Sequence, residues 1–285
     1  LLRKVDRIVD LTDFLKDINN GYSFYPSPFN YTGSKFNLLR ILKPYFPKSS
    51  TLIDLFVGGG SIFVNSPEYE NIIANDCIVP LIEFYRFLQA TKWEDVIRTI
   101  YERKISNDKE QYLKLRERFN CTHDCIDFFI LVCSCTNNMM RFNKKLQFNQ
   151  TFGERSFNQN TERKLRQYHN VLFNNENIKF SCDSFVNIKP PSGSFVYLDP
   201  PYLITEAGYN AYWTSELEER LYLYIDELHK NDVKFMLSNV SQHKDKINPN
   251  LHKLEKYNII DITYDYNKVS RSGNSNSKEI IVTNY

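Results

Sequence analysis

The sequence lacks a strong charge of either sign. Its 285 residues carry 36 basic and 34 acidic side chains, a net +2, so affinity for nucleic acid has to come from a local patch. Long apolar runs are missing too. Stretches such as Phe195–Leu198 fall far short of the roughly 20 residues that span a bilayer, and no membrane partner is expected. The opening Leu1-Leu2-Arg3-Lys4-Val5-Asp6 turns charged at once, unlike a signal peptide. It does not begin with Met, which leaves room for a start upstream. Cysteine is scarce, at 77, 121, 125, 133, 135 and 182, too sparse for a disulfide scaffold. No spacing joins Cys121/Cys125 or Cys133/Cys135 to a second Cys/His cluster, as a zinc site requires. A helix through that region would point His123 away from both sulfurs of the first pair. The expectation is therefore no metal site, and reduced, mostly buried thiols in a cytoplasmic protein. What is present is ordinary for a globular chain, 42% hydrophobic and 25% charged, which excludes a disordered or collagen-like polymer.

Along the chain, apolar residues recur at helical spacing over 1–20, ended by Asn19-Asn20-Gly21. Pro26 and Pro28 predict an extended stretch from Tyr22 to Asn30. A helix is expected from Ser34, a good N-cap, to Pro44. Thr51–Phe56 reads as a strand ended by Gly58-Gly59-Gly60-Ser61, with room for a helix from Ser61 to Pro67. Asn71–Asp76 is a second strand and Pro80–Ala90 a helix. This is the opening of a doubly wound α/β sheet. Residues 91–175 are mostly helical and charged, with an Asn- and Phe-rich tract from Asn137 to Asn160. Strand signals return at 178–180, 195–198 and 233–237, with a helix over Ser215–Lys230 between the last two. Two β-branched runs flank Ser270–Asn274 and predict a hairpin with a mobile loop. The reading is three parts: a flank over 1–30, a catalytic domain over 31–90 and 176–285, and an inserted helical lobe over 91–175.

Three patterns bear on chemistry. Phe56-Val57-Gly58-Gly59-Gly60-Ser61 follows a strand, where glycines let the backbone approach a ligand and a helix N-terminus offers free N–H groups. It lacks the third glycine of G-x-G-x-x-G and the Gly-Lys-Ser/Thr of a P-loop, so a plain glycine turn stays open. Asp76 lies 18 residues after Gly58, at a strand end, where a carboxylate accepts hydrogen bonds from ribose hydroxyls. Together they favour an adenosine-containing ligand without choosing among NAD, FAD and S-adenosylmethionine. The third pattern is Asp199-Pro200-Pro201-Tyr202, directly after a strand. Two prolines stiffen the turn. They hold a carboxylate, a carbonyl and an aromatic ring where doubly wound folds bind ligands.

In order, Tyr31-Thr32-Gly33-Ser34-Lys35, Phe-x-Gly-x-Gly-Ser, the acidic strand end, a separate lobe and Asp-Pro-Pro-Tyr resemble the Dam-type (α-group) DNA adenine methyltransferases. Asn137-Asn138-Met139-Met140-Arg141-Phe142-Asn143 and Phe148-Asn149-Gln150-Thr151-Phe152-Gly153 resemble that family's recognition hairpin, and Lys278–Tyr285 its ending. The likeness spans about Tyr31 to Tyr285. It implies a methyltransferase fold, S-adenosylmethionine as methyl donor, double-stranded DNA as partner and a flipped-out adenine as target. It also implies a bacterial or phage setting in which a cognate restriction endonuclease is an expected partner.

The implied catalytic residues are Asp199, Pro200 and Tyr202. The implied cofactor residues are Tyr31, Lys35, Phe56, Gly58, Gly60, Ser61, Asp76 and Asp199. The candidate DNA-binding set is Asn138, Met139, Arg141, Asn143, Lys144, Lys145, Asn149, Thr151 and Arg155. Met139, Thr151 and Arg155 depart from the Leu, Pro and Tyr common in GATC-methylating members. Those departures concern the recognised sequence, not the methyl transfer.

The charge pattern agrees. Between Asn138 and Asn170 seven basic side chains face two acidic ones, a local +5. Arg and Asn read base edges while lysines hold phosphates. The plain alternative is a solvated helix face. Other readings are a methyltransferase for cytosine amino groups or RNA, a nicotinamide dehydrogenase, or a DNA-binding module without catalysis.

Overall fold

The computed structural model describes residues 24–29, 33–205, 213–262 and 277–285. The helix expected over 1–20, Tyr31 and the 270–274 loop lie outside the described residues.

Alternation along short strands divides the interior in two. The strands are β1 (Thr51–Asp54), β2 (Asn71–Asn75), β3 (Ile178–Ser181), β4 (Phe195–Leu198), β5 (Lys234–His243), β6 (Lys246–Ile247), β7 (Asn258–Ile262) and β8 (Ser277–Thr283). Leu52, Phe195, Tyr197 and Met236 face one core, and Ile53, Val196, Leu198 and Phe235 face the other. β4 is buried on both faces, as expected of a central parallel strand. The sheet order is β3-β2-β1-β4-β5-β8-β7, with β6 beside β5. The first five strands of that order run parallel, and β8 is antiparallel to both neighbours. The chain leaves β1 toward β3 on one side and returns through β4 to β5 on the other. The β1/β4 boundary is therefore the topological switch point, where open α/β sheets bind ligands. The doubly wound α/β reading holds, and so does the tail hairpin, formed by β7 and β8.

The helices are α1 (Leu39–Leu42), α2 (Val79–Ala90), α3 (Trp93–Arg103), α4 (Lys109–Thr122), α5 (Cys125–Ser134), α6 (Gln159–Leu172) and α7 (Ser215–Lys230). α5 is mostly apolar and buried from Ile126 to Ser134, with its buried Asp127 held by Arg118, the pattern of a central helix. Phe129 on α5 stacks on Phe84 of α2 at 4.4 Å. Residues of α3 to α6 share one core with α2 and the sheet face beneath it. α7 covers the opposite face through Leu221, Ile225 and Leu228.

Four expectations change. The helix from Ser34 is broken into two 3₁₀ turns around the single turn of α1. Ser34 does cap it, accepting from the Phe36 N–H at 3.3 Å, but Pro44 stops a regular continuation. The helix from Ser61 is a lone 3₁₀ turn over Phe63–Asn65, with Ile62, Phe63 and Val64 all buried and Pro67 barring any extension. No helix runs through 121–125. His123 takes a left-handed conformation (φ 55°) between α4 and α5, and Asp124 caps α5. The six cysteines are free, but only Cys133 and Cys135 are buried; Cys77 and Cys121 are exposed. Cys77 follows a strand end, and Cys121 sits on the wet face of α4.

Candidate active site

Four parallel strands, β3, β2, β1 and β4, each deliver an aspartate at the C-terminal edge: Asp183, Asp76, Asp54 and Asp199. All four line one cavity of about 850 Å³. Asn75 knits the edge together. Its side-chain amide donates to the Leu55 and Asp183 carbonyls, each at 3.1 Å, and its oxygen accepts from the Asp183 N–H at 3.1 Å.

The glycine loop leaves β1 and crosses the floor of the cavity. Gly58 and Gly60 have φ of 47° and 76°, a region that favours glycine. A Cβ on Gly60 would lie 2.7 Å from the Phe63 ring, so Gly60 serves the packing beneath the loop. Gly58 and Ser61 face the cavity. The loop is tied by two helices of one core: the Tyr85 hydroxyl of α2 donates to the Gly58 carbonyl at 2.9 Å and that of Tyr168 of α6 to the Gly59 carbonyl at 3.1 Å. Asp76 accepts from the Gly58 N–H (2.9 Å) and the Ile78 N–H (3.0 Å). Burial raises its pKa against the pull of those N–H groups. Asp54 accepts from the Phe63 N–H at 3.2 Å. Burial pushes it up to about 8, and the nearby Asp199 and Asp76 add to the rise.

Asp199 is the hub at the opposite end. Lys35 Nζ lies 2.8 Å from one carboxylate oxygen, and the Tyr202 hydroxyl donates to the other at 2.8 Å. Tyr202 also meets Ser238 at 3.1 Å. The Lys35 ammonium lies 5.1 Å from the centroid of the Tyr202 ring, close enough for a cation–π contact. Burial alone would lower the Lys35 pKa; Asp199, then Glu279, reverse this and raise it. Ser34 and Ser61 meet at 2.8 Å, joining the segment that carries Lys35 to the glycine loop.

Lys35, Phe56, Gly58, Ser61, Asp76, Asp199, Pro200 and Tyr202, all expected from sequence, thus meet in one cavity. Sequence reading missed Asp54, Asp183, Phe185 and Trp213, which also line it. Phe56, Phe185 and Trp213 form an aromatic corner with centroids 5.5 to 6.0 Å apart. The signal for the two acids was available: an aspartate at a parallel strand end, the rule that picked Asp76 and Asp199. Trp213 carries no such signal, because the fold brings it in from beyond a connection.

The nine candidate DNA-binding residues do not line the cavity. They sit on an antiparallel ribbon beside it, pinned by the pairs Phe142–Phe148 and Cys135–Phe152. Several bond to each other across the ribbon. Arg141 donates to the Asn149 side chain (3.0 Å) and carbonyl (3.1 Å), and Arg155 donates to Asn138 at 2.9 Å. Thr151 and Thr136 hydroxyls meet at 3.0 Å. Asn143 accepts from the N–H groups of Lys145 and Gln147, so its side chain shapes the turn. Lys144, Lys145 and Thr151 are exposed, and Met139 half-buried. Met140, Phe142 and Leu146 of the same ribbon reach the cavity. Helix α4 backs the ribbon with residues four apart. The Tyr112 hydroxyl and Arg116 donate to the Gln150 carbonyl, and Asn120 bonds both backbone groups of Phe148.

The D12 class N6 adenine-specific DNA methyltransferase family matches residues 31–267. The chain is 30% identical over 291 aligned positions to modification methylase StsI of Streptococcus sanguinis, covering 94% of this chain and 44% of the relative. It is 34% identical to type II methyltransferase M.FokI of Planomicrobium okeanokoites, covering 92% and 43%. A DNA adenine methylase of Salmonella typhi is 28% identical, covering 86% and 88%. The chain therefore spans less than half the length of the two modification methylases.

Proposed function

The chain belongs to the D12 class N6 adenine-specific DNA methyltransferases, and from that premise we propose that it methylates the exocyclic amino group of adenine in a specific duplex sequence. The proposed methyl donor is S-adenosylmethionine, and the target base is flipped out of the helix. The observation that carries this reading is the carboxylate of Asp199, held by Lys35 and Tyr202 on a double-proline turn inside the glycine-loop cavity.

The cavity's chemistry suits the donor. Its lining includes four aspartates, Lys35 and His123. That is a poor seat for the pyrophosphate of a nicotinamide cofactor and a good one for a sulfonium cation. Asp76 offers acceptors to ribose hydroxyls. Phe56, Phe185 and Trp213 offer an apolar aromatic surface to a purine, and Lys35 a cation to a carboxylate. Gly58 and Ser61 let the ligand approach the backbone, and Gly60 serves the packing beneath the loop. When bound, S-adenosylmethionine supplies an electrophilic methyl group.

Adenine's amino lone pair is delocalised into the ring, so the enzyme has to draw it out. Asp199 and the Pro200 carbonyl accept the two amino hydrogens and favour a pyramidal nitrogen. Tyr202 holds the turn and presents its ring to the base. Positioning and electrostatics supply the catalysis. No thiol nucleophile is needed; burial pushes Cys125 and Cys135 up to about 12. The lobe over 91–175 reads the sequence. In this reading Arg141, Asn149, Asn138, Arg155, Met139 and Thr151 meet base edges, Asn143 shapes the turn, and Lys144 and Lys145 hold phosphates. A cognate endonuclease is the proposed partner.

The test is methylation of unmethylated genomic DNA with S-adenosylmethionine, followed by long-read sequencing that detects modified bases. Adenine marks at one short motif are expected. Marks on cytosine, or none with cofactor bound, would overturn the assignment.

A further inference from the structure

Apolar side chains on a charged surface usually have a bland explanation, and Leu146 resists it. Its side chain is 67% exposed. Its backbone has φ of 60°, a conformation that disfavours any residue with a Cβ and suits glycine or asparagine. It occupies the tip of the ribbon, between Lys145 and Gln147, where the Asn143 carbonyl accepts its N–H at 2.8 Å. It also faces the cavity that holds Asp199, Pro200 and Tyr202. Strain and exposure together at a site's rim point toward function.

The tip is firmly based. Phe142 and Phe148 pair across the ribbon with ring centroids 5.7 Å apart, and both pack on Phe128. Asn120 grips the Phe148 backbone from α4 through both its N–H and its carbonyl. Exposed Lys144 and Lys145 precede the leucine. A rigid arm thus ends in one apolar group beside two cations.

That chemistry matches a nucleic-acid duplex with a gap in its stack. An extruded base leaves a cavity between its neighbours that water fills poorly. Apolar wedges such as leucine occupy such gaps, while nearby lysines neutralise the flanking phosphates. We propose that Leu146 is a duplex wedge, entering the stack beside the target adenine and filling the space the base vacates. The inference rests on the base-flipping reading above.

The test uses the motif found by methylation mapping, in two duplexes. One is fully paired; in the other the target adenine faces an abasic site, so no pairing opposes its exit. Single-turnover methylation is measured for the parent, Leu146→Gly and Leu146→Met. Glycine suits the left-handed turn, so the melting temperature should equal or exceed the parent's. On the paired duplex Leu146→Gly should lose roughly ten-fold or more, the size expected when help against unstacking is withdrawn. On the unpaired target the loss should shrink to less than about three-fold, because extrusion is already easy. Leu146→Met should recover most of the paired-duplex rate. A 2-aminopurine at the target position should brighten less with Leu146→Gly than with the parent. Equal losses on both duplexes, or no loss on either, would overturn the wedge. A parent that marks no adenine overturns the underlying reading before any variant is made.

Discussion

An ammonium group at 5% exposure stays charged here because a carboxylate lies 2.8 Å away. Lys35 and Tyr202 fix both oxygens of Asp199, and each oxygen keeps a lone pair for an incoming amino hydrogen. Replacing Asp199 with Ala should cut turnover by about 10²–10³-fold or more, the scale for losing one preorganised charge-stabilising group. Binding to duplex DNA should change little. Turnover at the parental rate would refute the role of Asp199.

Asp54 gives a pH signature. Its folded pKa of about 8 lies above the usual 3.8, so between about pH 4 and 8 the folded state binds more protons than the unfolded one. Its contribution to stability is full in acid and falls as pH rises through that window. Asp54→Asn should therefore melt closer to the parent at about pH 5 and gain on it toward about pH 8. Melting curves of both proteins across that range test the sign, and a constant difference would refute it.

The ribbon is where single residues become an element. Arg141 is held by two bonds to Asn149, whereas Lys144 is exposed. Arg141→Ala should change which sequences are methylated. Lys144→Ala should weaken binding to all sequences alike and reduce the salt dependence by about one counterion's worth. A competition assay between motif and scrambled duplexes at two salt concentrations separates them, and the same sequence-blind loss in both would remove the distinction.

Most elements were legible because their signals are local. Ser215–Lys230 has an amphipathic face and an acidic first turn, and β4 is a short apolar run before two prolines. The broken helix at Ser61 was not legible. Ile62, Phe63 and Val64 are all buried, and their tertiary contacts hold the segment as a single tight turn. His123 was missed for a similar reason. The left-handed His123 ends one helix, and the Asp124 side chain, accepting from two N–H groups of α5, begins the next. Asp76 and Asp199 were legible as strand ends, Asp54 and Asp183 carried the same signal but were passed over, and Phe185 and Trp213 reach the cavity only through the path of the chain.

At the scale of the molecule, a chain of net charge +2 sets a carboxylate-rich cavity beside a ribbon with exposed lysines. In the proposed complex the exposed lysines meet the duplex phosphates, while in the cavity Lys35 is paired with Asp199. Added salt should therefore weaken duplex binding while cofactor affinity changes much less. Titration calorimetry with each ligand at two salt concentrations checks this, and parallel losses would contradict it. Among the described residues no helix is long and apolar enough to cross a membrane.

The glycine loop is fastened by Tyr85 from one helix and by Tyr168 from α6, a helix of the segment that also carries the ribbon. Tyr168 thus ties the glycine loop to the segment that carries the ribbon. Whatever factor the methyl donor imposes on affinity for the duplex, the duplex must impose on affinity for the methyl donor. On the proposed function, both ligands would be accounted for in a single equilibrium.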